Sequence, residues 1–271
     1  MAAEPISKFN ARSAAGYERS MGRWSRRMAP GIVAYANLGD AKSVIDVGCG
    51  TGSLLFELAK NPQFEHVFGI DASDAFVAAA REASSDPRLD VRQGDAAAMP
   101  YADNEFDAAL SQLVLQFVPD PVKALSEMRR ITKPGGVVTA AVWNSYGGRS
   151  DQRMFWDIAA LLDPVAATAR NANCFRPMTG KGDITRGMQV VGLQEITESI
   201  TTITMDFENF EDYWSPIAAG DGTLGKYATS LDPAALDRLR SAVMDAYCAG
   251  QPDGERNFAC TAQVARGIVI K

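Results

Sequence analysis

The stretch Val44-Ile45-Asp46-Val47-Gly48-Cys49-Gly50-Thr51-Gly52 constrains this chain more than any other. A short run of β-branched residues reads as a buried strand, and three glycines at alternate positions follow it directly. Glycine permits a tight turn and lets backbone approach a ligand closely. The run from Ser53 to Lys60 then continues with helical spacing. Free N–H groups at the start of such a helix favour a polar or anionic ligand group. A dinucleotide fingerprint, G-x-G-x-x-G, requires a glycine at 53, where this chain has Ser53. The spacing here is G-x-G-x-G.

The segments that follow alternate in period. SVIDVG, HVFGID, LDVRQGD, FDAALSQ and GVVTAAVW read as strands, while SLLFELAKN, AFVAAAREAS and VKALSEMRRIT show the i, i+3, i+4 spacing of helices with one buried face. Successive βαβ units of this kind predict an α/β fold with a parallel sheet. The second strand ends at Asp71, about twenty residues past the glycines, where a carboxylate can accept hydrogen bonds from ribose hydroxyls. The third ends at Asp95, placed to accept from an exocyclic adenine amine. Glycines, Asp71 and Asp95 thus fall on three successive strand ends, at the sheet edge where open α/β folds bind ligands. Beyond Asn144 the pattern loosens into helical readings at 151–163, 182–191 and 232–248 and β-type runs at 193–207 and 258–270. Residues 208–257 are too long for an ordinary connection and predict a helical cap.

VIDVGCGTG, VFGIDAS, GDAAAMPYADNEFDAALSQLVLQFVPDP and ITKPGGVV together resemble the class I S-adenosylmethionine-dependent methyltransferases of the small-molecule, type 11-like branch, over residues 43 to 143. The resemblance implies a Rossmann-like, mostly parallel seven-stranded sheet with helices on both faces. It divides the chain into an N-terminal helical arm at 1–40, a core at 41–207 and 258–271, and the cap at 208–257. It implies S-adenosylmethionine as cofactor, with Gly48, Cys49, Gly50 and Gly52 against its methionine part and Asp71, followed by Ala72, at the ribose. Asp95 and the Ala96 backbone would hold adenine, and Asp46 would support the loop or the cofactor's amino group. The position just after the fourth strand, near the sulfonium, corresponds to Ser111 or Gln112. The run from Tyr17 to Trp24 resembles an arm that folds over the cofactor, with Tyr17 and Arg23 as contacts and Arg23 facing the methionine carboxylate.

Transfer from a sulfonium is an in-line displacement that asks chiefly for alignment and exclusion of water, so no catalytic dyad is required and none is assigned. The single histidine, His66, precedes the second strand and is expected at the end opposite the cofactor edge. Tyr146, Glu211, Asp212 and Tyr213 are candidate lining groups without assigned roles. A net charge of −6 argues against a nucleic-acid partner held by a general field. Cys49, Cys174, Cys248 and Cys260 lack metal-ligand spacing and fit reduced thiols, no metal site and a cytoplasmic setting. No run of about 18 apolar residues is present, so no membrane partner is expected. The expected acceptor is a small molecule. An NAD-dependent oxidoreductase and a non-catalytic S-adenosylmethionine-binding protein are the alternatives.

Overall fold

The structure is a computed structural model, and it describes residues 14–270. The expected arm at 1–40 therefore lies in part, at residues 1–13, outside the described residues. The chain opens with α1 (Ala14–Tyr17), a π-helical turn (Glu18–Gly22) and α2 (Arg23–Ala36). In α2 the side chains of Trp24, Met28, Ile32 and Ala36 recur every four residues and are all buried, so one stripe faces the core while Arg26, Arg27 and Pro30 face outward. The helix ends at Asn37, whose left-handed backbone (φ 49°) turns the chain toward the sheet.

The core then alternates: β1 (Ser43–Val47), α3 (Ser53–Ala59), β2 (His66–Asp71), α4 (Asp74–Glu82), β3 (Leu89–Gln93), β4 (Phe106–Gln112), α5 (Pro121–Ile131) and β5 (Thr132–Trp143). After α6 (Ser150–Leu162), α7 (Ala166–Cys174), α8 (Asp183–Val190) and β6 (Gln194–Phe207) come α9 (Phe210–Ala218), α10 (Gly222–Ala228) and α11 (Pro233–Cys248), and β7 (Arg256–Ile268) ends the sheet. The sheet has seven strands in the order β3-β2-β1-β4-β5-β7-β6. The β1–β2, β1–β4, β2–β3 and β4–β5 pairs are parallel, and β7 runs antiparallel to both its neighbours. Only β7 is therefore reversed, and the α/β, mostly parallel Rossmann-like expectation is met.

Strand alternation sorts side chains onto two cores. Val44, Ala108, Leu110, Ala141 and Trp143 face the layer that holds α2, α3, α6 and the 210–248 helices, whereas Ile45, Val47, Ala109, Val138 and Val142 face α5 and α8. By the same period of two, Asp46 follows Val44 and Gln112 follows Leu110 onto the face covered by α2. The strand order reverses between β1 and β4. Their carboxyl ends flank the crevice where doubly wound sheets bind ligands.

Candidate active site

The loop after β1 is held in place before any ligand is considered. The amides of Gly48 and Cys49 both donate to the Ile70 carbonyl, at 2.7 and 3.0 Å, which ties the turn to β2. Gly48 takes φ 78°, and a Cβ there would come within 2.4 Å of the Val114 side chain, so the position admits only hydrogen. At Gly50 the backbone is again left-handed (φ 56°), but a Cβ would meet nothing within 4 Å. Open space therefore lies over the centre of the loop. The Cys49 side chain is buried and points toward Gly69, so only its backbone faces the crevice.

Asp71 joins the three strand ends. Its Oδ2 accepts from the Gly50 amide and its Oδ1 from the Ser73 amide, each at 2.9 Å, while its carbonyl accepts from the Gly94 amide. Ser73 in turn caps α4 by accepting from the Phe76 amide. Burial raises the Asp71 carboxyl above its ordinary value, against the pull of the Ser73 and Gly50 amides. Ala72, between Asp71 and the cap, is partly buried. At the end of β3, Asp95 is partly buried and its Oδ1 accepts from the Ala97 amide at 2.8 Å, closing a small turn beside Ala96.

Asp46 lies beneath this loop, 1% exposed, and neither carboxyl oxygen has a full hydrogen-bond partner. Burial, then the charge of Asp71, pushes it up to about 8, with the Leu55 amide pulling the other way. A buried carboxyl without donors is costly, and a donor or cation in the crevice would relieve it.

The arm covers the loop. Glu18 accepts from the Thr51 hydroxyl and pairs with Arg26. The Tyr17 ring packs on Phe76 of α4 at 5.3 Å, its hydroxyl meets Ser25 Oγ at 3.0 Å, and burial pushes it up to about 12. Two expected contacts, Gln112 and Arg23, have partners within the chain. Gln112 Nε2 donates to the Ser25 carbonyl at 2.9 Å, so this side chain fastens α2 to the sheet; its neighbour Ser111 donates to the Val47 carbonyl. Arg23 pairs with Asp212 at 3.0 Å and stacks over the Trp24 ring at 4.2 Å. The pair fastens the arm to α9, since the fold carries Asp212 from 189 residues away to meet it.

Tyr17 also lines a pocket walled by Trp24, Leu113, Phe117, Trp143, Phe207 and Tyr213. Leu113, just past β4, adopts a left-handed backbone (φ 64°), a strained conformation, and lines the pocket. On the pocket wall Arg149 and Asp151, 3% and 5% exposed, form a two-pronged pair at 2.8 and 2.7 Å. Burial is the largest influence and opposes both charges, but the partner's charge and the hydrogen bonds together exceed it, holding Arg149 above and Asp151 below their ordinary values, so both stay ionised. Cys260 Sγ donates to Asp151 Oδ1, and the Tyr213 hydroxyl to the Asp151 carbonyl. The sequence pattern missed this pair, Arg176, Asp221 and the Leu113 turn. Charged residues two apart after a strand carry no signal of burial, and positive φ at leucine carries none at all.

Of the remaining candidates, Tyr213 reaches the pocket, whereas Tyr146 is 54% exposed and stacks on Phe175. Glu211 pairs with Arg240 on the surface. His66 starts β2, exposed, at the opposite end from Asp71. Among the described residues no three His, Cys, Asp or Glu side chains converge on a metal position, all four cysteines are unpaired, and no helix is long and apolar enough to cross a membrane.

Residues 45–140 match the family model described as a methyltransferase domain. An uncharacterised 37.1 kDa protein of a Streptomyces fradiae transposon is 40% identical over 109 residues, 38% of this chain and 31% of that protein. The demethylmenaquinone methyltransferase of Halalkalibacterium halodurans is 39% identical over 107 residues, 38% of this chain and 43% of that enzyme. The chain thus spans less than half the length of these two relatives. Among solved structures, phosphoethanolamine N-methyltransferase 2 of Haemonchus contortus, in complex with phosphomonomethylethanolamine and S-adenosylhomocysteine, is similar with a TM-score of 0.59 at 16% identity. That match covers 95% of this chain and 57% of the other. At that identity the likeness concerns the fold.

Proposed function

We infer the function from the premise that residues 45–140 belong to the methyltransferase domain family: the chain is an S-adenosylmethionine-dependent enzyme that methylates a small molecule. The observation that carries this reading is the buried, unpartnered Asp46 under an open glycine loop whose central amide is tied to Asp71. A ligand with both a cationic amino group and a ribose suits that arrangement better than a nicotinamide dinucleotide does, since the G-x-G-x-x-G turn is absent.

When bound, S-adenosylmethionine supplies a methyl group on a sulfonium, a good leaving group, for in-line displacement. The chain's own work is to bind, orient and exclude water. Gly48, Gly50 and Gly52 keep side chains out of the path of the methionine part, and Asp46 offers a carboxylate to its amino group. Asp71 accepts from ribose hydroxyls in exchange for the Gly50 amide, with Ala72 beside it. Asp95 and Ala96 flank adenine. Tyr17, on the arm that covers the loop, and Leu113, just past β4, both line the aromatic pocket, which supports a reading in which the acceptor enters from the pocket side and meets the methyl there. The residues 208–257 act as the cap of that pocket, since Asp212 and Asp221 hold the arm through Arg23 and Arg19. The acidic net charge speaks against a nucleic-acid substrate, and four unpaired thiols support a reducing, cytoplasmic setting.

Isothermal titration with S-adenosylmethionine, S-adenosylhomocysteine and NAD tests the cofactor. Binding of both sulfur compounds and not NAD is expected. Binding of NAD alone would overturn the reading, and tight S-adenosylmethionine binding without methyl transfer to a panel of O, N, C and S nucleophiles would make the chain a non-catalytic binder.

A further inference from the structure

Four arginines reach the pocket, and three of them meet a carboxylate. Arg19 pairs with Asp221 at 3.1 Å, Arg23 with Asp212 at 3.0 Å and Arg149 with Asp151 at 2.7 Å. Arg176, just past α7, differs. Its guanidinium lies over the Phe117 ring at 4.7 Å and donates to Asn173 Oδ1, and no carboxylate pairs with it among the described residues. Burial lowers its pKa, with no acidic neighbour offsetting the loss of water.

A guanidinium remains charged throughout the ordinary pH range, so this one is a fixed positive charge, half-buried and seated over an aromatic ring. Asn173 takes part of its donor capacity and leaves other N–H groups for a guest. Phe117, Trp143 and Trp24 line the same pocket, and their rings suit a flat apolar body. The three paired arginines are electrically satisfied within the protein. Arg176 is the pocket arginine with no paired carboxylate among the described residues.

We propose that the methyl acceptor is a flat, apolar acid whose anionic oxygens, a carboxylate or an equivalent oxyanion, are held by Arg176 while its ring system lies among Phe117, Trp143 and Trp24. This rests on the methyltransferase reading for the word acceptor, but the anion site itself follows from the pocket alone. Arg176 acts in binding and orientation: it touches the acceptor's charged end and takes no part in displacement at the methyl. It contributes specificity because a neutral analogue leaves the guanidinium desolvated without a partner.

The test uses the full chain with matched probes, 3-hydroxy-2-naphthoate and 3-hydroxy-2-naphthamide, titrated with and without S-adenosylhomocysteine. The carboxylate is expected to bind at least about tenfold more tightly than the amide, as for a charge-assisted pair. Arg176→Gln should bring the ratio close to one with unchanged S-adenosylhomocysteine affinity, and Arg176→Lys should restore part of the preference. Naphthalene-2-sulfonate competing with the naphthoate would mark general oxyanion recognition, and its failure to compete would narrow the site to carboxylates; either result keeps Arg176 as the anion's partner. Equal binding of acid and amide, no measurable binding of either probe, or a preference that survives in Arg176→Gln would overturn the proposal. Loss of S-adenosylhomocysteine binding alone would strike the methyltransferase reading instead, since the probe comparison is also made without it.

Discussion

The loop end of the site draws its groups from residues 46 to 95, whereas the pocket beside it is walled by residues from Tyr17 to Leu224. At the loop the polar groups are few, local and incompletely satisfied: Asp46 has no full partner and Asp71 is held by backbone amides. In the pocket the charges are many and, Arg176 apart, paired: Arg19 and Arg23 with carboxylates 202 and 189 residues away, and Arg149 with its buried near neighbour Asp151. The difference separates two tasks. A loop whose ligand has a fixed shape can leave its groups poised for it, while a pocket assembled from arm, sheet and cap has to hold itself together first.

The largest effect that separates the two regions is expected at Arg149. Arg149→Met leaves Asp151 buried and uncompensated, which costs about 3–5 kcal/mol of stability, whereas the double change Arg149→Met/Asp151→Leu recovers much of it. Thermal unfolding measures both, and a single variant as stable as the parent would show that the pair does not hold the pocket. Next, Asp71→Ala removes the acceptor expected at the ribose and frees the Gly50 and Ser73 amides. A loss of S-adenosylhomocysteine affinity of about 1.5–3 kcal/mol, roughly tenfold to a hundredfold, is expected by titration. Unchanged affinity in a folded variant would move the ribose elsewhere.

Asp46 gives a pH test. In the folded chain it titrates at about 8 against an ordinary 3.8, so between those values the folded form holds a proton that the unfolded form has released. The Asp46 contribution to stability of the ligand-free protein is therefore fully present below about pH 4 and is lost as pH rises toward 8. The raised Asp71 acts in the same direction. Asp46→Asn should flatten the dependence of melting temperature on pH between 5 and 9, and parallel curves for parent and variant would show that Asp46 is not the group responsible. The smallest effect is expected at Arg19, more than half exposed where it meets Asp221. Arg19→Ala should change stability by less than about 1 kcal/mol and act chiefly on how the arm closes, read as faster proteolysis near residue 19. An unchanged cleavage rate would remove this pair from the closure.

Much of the loop end was legible in order along the chain. VIDV, the three glycines, Asp71 and Asp95 are each next to the element that positions them, so local pattern and strand period place them together. The same period also put Gln112 on the α2 face, but nothing in the linear order said that the Ser25 carbonyl would take its amide. Arg23 shows the same limit: the run from Tyr17 to Trp24 predicted an arm over the loop, while Asp212, which holds the guanidinium, comes from the far side of the chain.

By itself the sequence determined the α/β sheet, its ligand-binding edge and the groups on the first three strand ends, because periodicity and glycine spacing are local properties that each segment carries alone. Only the tertiary structure decided which charges are spent. It paired two of the pocket's four arginines with carboxylates far along the chain and buried a third with its near neighbour Asp151, left Asp46 without a full hydrogen-bond partner under the loop, and left Arg176 on Phe117 with no paired carboxylate among the described residues. Electrostatic pairing depends on distances across the folded chain, and those exist only once arm, sheet and cap have closed on one another.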